Sequence, residues 1–242
     1  MQVSQRQPII NAPLAVVGLA VVLIAVHVGR SFVSPAVDDA LIQLFAFNPG
    51  RFTGETALPP VPGWAPPVTF LSHALLHGDT MHLVVNTAWL MAVGSPVAWR
   101  TSLVGFLAFF ALCAAGGALL FMAVHPGLDA ALVGASGGIS GLMGAVFRLM
   151  FAAEDPDARQ ILRERPMDAP RLSVRSMLVQ RAPRVAIITW VALNIGVAVV
   201  LGSVGEGMPI AWEAHLGGFF VGLVVFDLFD RGWHGEAQRD AR

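Results

Sequence analysis

Ser136 and His215 are the residues of this sequence best suited to chemistry, one a hydroxyl and the other an imidazole. A serine hydroxyl is a weak nucleophile until a neighbouring base takes its proton, and an imidazole is a common base, so the two would suffice for acyl transfer without a third acid. Ser136 lies in Val133-Gly134-Ala135-Ser136-Gly137-Gly138-Ile139-Ser140-Gly141-Leu142-Met143-Gly144, twelve residues with five glycines and two serines. That composition is costly for an ordinary helix, so something must approach the backbone closely. One reading is a nucleophile flanked by Gly134 and Gly137, residues too small to block a substrate. The other is helix packing, because Gly134/Gly138, Gly137/Gly141 and Ser140/Gly144 repeat small residues four apart, which lets membrane helices touch.

Further polar groups could assist. His82 and Asn86 are four residues apart and share a helix face; with the backbone amide of Ser136 they could hold the negative oxygen of a tetrahedral intermediate. Glu213 is two residues from His215 and points elsewhere on a helix, so it is expected in solvent at the helix mouth and not as the orienter of His215. His73 and His77 have a metal-ligand spacing that His82 and His215 could complete. No HExxH occurs, however, and the close carboxylate, Asp79, falls in an expected turn, so no metal and no cofactor are expected. His27 and His125 fall near the ends of apolar runs, where an interfacial place accounts for them.

The elements that must position these groups follow from composition. The chain has 242 residues, 55% hydrophobic and 13% charged, where soluble domains carry about a quarter charged residues; this is a membrane protein. All the basic residues are arginine, and the single cysteine, Cys113, lies in an apolar run and reads as a buried, inert thiol. Apolar runs span Pro13 to Val28, Met81 to Trp99, Leu103 to Val124, Ala130 to Ala152, Val185 to Leu201 and Ile210 to Phe229. Six runs near the roughly 20 residues of a crossing helix predict an all-α membrane protein with six transmembrane helices. The connection from Arg30 to about Leu71 is too polar to span; its piece Leu41 to Phe47 and Trp64 are expected at the interface.

Charge sets the expected topology. Arg6, Arg100, the arginine-rich stretch from Ala153 to Arg184 and the tail with Arg231, Arg239 and Arg242 all fall on one side, leaving Arg30 and Arg51 on the other. Because positive loops stay inside, both termini are expected in the cytoplasm. The divisions are a short cytoplasmic N-terminus (1–12), a membrane domain (13–229) with a solvated cytoplasmic loop (153–184), and a cytoplasmic tail (230–242). The second, fourth and sixth helices then run inward from outside. At about 1.5 Å per residue this puts His82, Asn86, Ser136, about two turns into its helix, and His215 within roughly 10 Å of the outer edge of the hydrocarbon layer. Costly polar groups at one depth are expected to face each other and to serve a function.

From Val68 to Phe229 the sequence resembles the rhomboid intramembrane serine proteases. GASGGISGLMG is similar to the family's GxSG nucleophile segment, with Ser136 as the serine and Gly134 and Gly137 as its supporting glycines. Ala214-His215-Leu216-Gly217-Gly218, continuing to Gly222, resembles the AHxxG and GxxxG pattern that carries the base. The segment from His73 to Asn86 resembles the start of the second helix, which implies oxyanion roles for His82 and Asn86 and a water-holding role for His73. The resemblance implies a rhomboid-like six-helix bundle with a serine–histidine dyad. The chain departs from the family pattern twice: Val68-Thr69 stands where many members have Trp-Arg, and Ser140 where many have an aromatic stacked on the catalytic histidine. Something else must then hold the His215 ring, and the sequence does not assign Trp212 or Phe219 to that task.

The expected activity is endoproteolysis of single-span membrane proteins in or beside their spans, with the bilayer and such substrates as partners and no nucleic acid. Substrates should carry helix-weakening residues, because a regular helix keeps its carbonyls engaged with amides. Access is expected sideways between the second and fifth helices, with Val204 to Pro209 as a lid made mobile by Gly205 and Gly207. The expected location is the cell inner membrane. An inactive binder of membrane spans and a histidine-cluster metal or transport protein are the rivals.

Overall fold

Lipid offers no hydrogen-bond partners to a bare backbone, so apolar segments that enter it satisfy their amides internally, as helices. A computed structural model describes residues 12–54, 56–153, 156–204 and 211–232. Among them the helices in chain order are α1 (Leu14–Ser31), α2 (Pro35–Phe45), α3 (Gly50–Thr53), α4 (Ala65–Ser72), α5 (Thr80–Arg100), α6 (Leu103–Val124), α7 (Ser136–Met150), α8 (Pro156–Glu164), α9 (Val174–Val179), α10 (Arg181–Val204) and α11 (Trp212–Val225), with three short 3-10 turns and no strand. The chain is an all-α membrane protein. The expected lid glycines Gly205 and Gly207, the start with Arg6, and Arg239 and Arg242 of the tail lie outside the described residues.

Among the described residues four helices are long and apolar enough to cross a bilayer: Leu14–Ser31, Thr80–Arg100, Leu103–Val124 and the Arg181–Val200 part of α10. The other two apolar runs give shorter helices, 15 residues in α7 and 14 in α11. The fourth run was expected to be helical from Ala130, with Ser136 two turns in. Instead the helix opens on Ser136 itself, because Gly134 takes φ +123°, a backbone outside any right-handed helix.

Glycines decide how α6, α7 and α11 meet. A Cβ on Gly218 would run into the Gly137 carbonyl, one on Gly222 into the Gly141 carbonyl, and one on Gly217 into the Gly116 carbonyl. The three helices therefore touch backbone to backbone, as small residues allow in membranes. The packing reading of the glycine repeat holds for Gly137 and Gly141. Around this seam, Leu90 and Val93 of α5 pack with Val16 and Leu23 of α1 in one buried cluster that also holds Phe106, Phe109 and Phe110. Cys113 is buried in it, as expected.

The connection from α1 to α5 is folded onto the bundle. Phe47 and Leu132 exchange backbone hydrogen bonds of 3.1 and 2.7 Å, and Phe47 packs on Phe52 and Phe70. Asp129 accepts hydrogen bonds from Thr56 Oγ1 at 2.6 Å and the Ala57 amide at 2.9 Å. Trp64 is exposed and lies near Phe45.

At the other end the arginines differ from expectation. The stretch from Ala153 to Arg184 is not a solvated loop throughout. Arg100 is fully buried, pairs through both Nε and Nη2 with Asp230 at 2.8 and 2.6 Å, and gives Nη1 to the carbonyls of Pro166 and Ala169. Arg171 bridges Asp227 and Asp230, and Arg148 donates to Asp227 and to the Leu172 carbonyl. A guanidinium has five donors in a rigid fork, which lets one arginine tie a carboxylate and loop carbonyls together.

Candidate active site

The site is assembled around the start of α7. Gly134 donates its amide to the His73 carbonyl at 3.0 Å, which ties the segment before Ser136 to the turn before α5. A Cβ on Gly134 would stand 2.8 Å from the His82 ring and 3.8 Å from Ser136 Oγ. Glycine is thus required twice here, by the positive φ and by the space that His82 and Ser136 share. No side chain caps α7, so the first amides of the helix, including that of Ser136, point their N–H groups out of its positive end.

His82 reaches this point because Asp79 starts α5, accepting the His82 amide at 2.7 Å. The His77 ring meets His82 edge to face at 5.1 Å between centroids. Asn86, one turn further, is buried and donates one amide hydrogen to the His82 carbonyl at 2.8 Å, which leaves its second hydrogen uncommitted. His73 is buried with Nδ1 on the Thr69 carbonyl at 2.8 Å.

His215 comes to the same place through the glycine seam. Gly137, next to Ser136, lies so close to Ala214, next to His215, that a Cβ on it would be 3.3 Å from the Ala214 carbonyl oxygen. Ser136 and His215 both keep a partly exposed face. Among the described residues no hydrogen bond joins their side chains; such bonds are often loose until substrate binds. His215 Nδ1 instead meets Asn194 Oδ1 of α10 at 2.9 Å.

The expected residues are therefore gathered as follows. His82, Gly134 and Ser136 share one point, Gly137 and Ala214, the chain neighbours of Ser136 and His215, are in close backbone approach, and Asn86 and His73 are buried. His73, His77, His82 and His215 do not converge as a set of metal ligands among the described residues. Glu213 is not in solvent: it is buried and pairs with His125 Nε2 at 2.6 Å, because the first turn of α11 faces the end of α6. Asn194 was missed. Its only signal in the sequence was an amide inside an apolar run, and nothing there tied it to a histidine 21 positions on.

These residues lie at one end of a bundle whose long apolar helices make the chain a polytopic membrane protein. The chain belongs to the rhomboid family: the Rhomboid domain matches residues 66–229. No curated protein matches it.

Proposed function

We propose that this rhomboid is an intramembrane serine endopeptidase with six membrane crossings, both termini in the cytoplasm of a cell inner membrane, acting on single-span proteins in or beside their spans. The observation that carries this reading is the shared space at Gly134, where Ser136 Oγ and the His82 ring face one point at the uncapped start of α7. Ser136 Oγ attacks the scissile carbonyl carbon while its proton passes to His215 Nε2. The oxyanion that forms is held by the Ser136 amide, His82 and Asn86, donors fixed before the charge develops. His215 then gives its proton to the leaving amine. Water, deprotonated by the same nitrogen, releases the acyl group from Ser136.

Purified wild type and Ser136→Ala, each with a single-span substrate in liposomes, test this directly. Wild type should cleave and Ser136→Ala should not. Capture of the intact span by both proteins without cleavage would make the chain an inactive binder instead.

A further inference from the structure

We infer that Asn194 is the positioning residue for His215, fixing which ring nitrogen is free to act as base; the inference rests on the dyad reading above. The orientation of an amide is settled by its partners. Asn194 Nδ2 donates to the Trp190 carbonyl at 2.8 Å, so the atom 2.9 Å from His215 Nδ1 is the acceptor Oδ1. An acceptor there requires a hydrogen on Nδ1. The neutral ring then carries its lone pair on Nε2, the nitrogen that must take the Ser136 proton.

The rest of α10 supports this role. Trp190 stacks on Phe219 at 4.2 Å between centroids and 18° between planes, and Phe219 is one turn beyond His215 on α11. The stack fixes the register of the two helices, and Asn194, one turn from Trp190, meets His215 because of it. Among the described residues no aromatic side chain is in ring contact with His215, so the amide from α10 supplies a restraint that no stacked ring provides. Interhelical asparagines also serve as plain glue, so the test must read the tautomer as well as the rate.

Three variants are compared with wild type: Asn194→Leu, which removes the acceptor, Asn194→Asp, which keeps an oxygen there, and Ser136→Ala. In liposomes with a single-span substrate, Asn194→Leu should lose roughly ten- to a hundredfold in kcat, by analogy with loss of the outer partner of a metal-bound histidine, with KM changed much less. Asn194→Asp should recover most of the rate. In 15N spectra of histidine-labelled protein, assigned with His215→Ala, wild-type His215 should show a protonated Nδ1 and a bare Nε2, and Asn194→Leu a mixture. A wild-type-like rate in Asn194→Leu while Ser136→Ala is inactive would overturn the inference and leave the dyad standing. Cleavage by Ser136→Ala would instead overturn the dyad. A bare Nδ1 in wild type would overturn the Asn194 assignment even if Asn194→Leu failed to fold.

Discussion

Ser136 and His215 act as a unit in the mechanism proposed, and units of this kind are not additive. Ser136→Ala and His215→Ala should each abolish cleavage, and the double variant should be no worse than either, measured as single-turnover rates at equal protein helicity. A double variant much slower than both singles would show that the two residues act separately. At this scale the sequence was informative where residue type alone implies chemistry: a serine among glycines, and histidines in apolar runs. It was uninformative where the partner decides the role. Glu213 beside His215 looked solvated and is buried on His125, whereas Asn194, distant in sequence, holds the ring. Long-range pairing across helices has no local signature.

The decisive feature among the elements is that α7 and α11 meet through Gly137, Gly141, Gly218 and Gly222 with no side chain between them. Gly222→Ala would drive a methyl group into the Gly141 carbonyl. Overpacking of this kind costs about 1–3 kcal/mol, and because the same seam joins Gly137 and Ala214, the neighbours of Ser136 and His215, cleavage should fall with it. Unfolding in mixed detergent and a cleavage assay on the same preparation check this; a stable, fully active Gly222→Ala would mean that the helices can part without moving the dyad. Four of the six apolar runs gave helices of crossing length among the described residues, legible because helix length and lipid thickness are linked. The start of α7 was not, since apolarity continues through Ala130 to Val133 while the positive φ of Gly134 ends the helix there.

For the molecule as a whole, the charges are structural ties. Arg100 and Asp230, both fully buried, tie the end of α5 to the chain beyond α11 and to the loop before α9. Asp230→Ala would leave a buried guanidinium short of its partner, and breaking such a pair costs about 3–5 kcal/mol, to be read as a lowered unfolding midpoint. Arg100→Met with Asp230→Leu should lose less, because neither charge is then stranded. The sequence marked these arginines by sign, but sign does not reveal a partner. On the opposite side Asp129 is the pin. Hydrogen bonds from Thr56 and then from the Ala57 amide hold its carboxyl below the ordinary carboxylate value, so its contribution to stability is complete above about pH 4 and is lost as pH falls through the folded value. The difference in midpoint between wild type and Asp129→Asn should be constant above that pH and close in acid; a difference independent of pH would mean that the Asp129 carboxylate does not pin this loop.

The brevity of α7 has one more consequence. Its 15 residues rise about 22 Å, against about 33 Å for the 22 residues of α6, and the hydrocarbon layer is about 30 Å thick. The central rod of the bundle is thus shorter than the layer its neighbour crosses, and Ser136, with its face still partly open, is its first residue. Hydrolysis within fat faces a supply problem, since the second reactant is water and lipid tails exclude it. Under the mechanism proposed, the acyl group on Ser136 must be met by water, and a rod that stops short of its neighbour's length brings its first residue nearer to that supply than a full-length rod would.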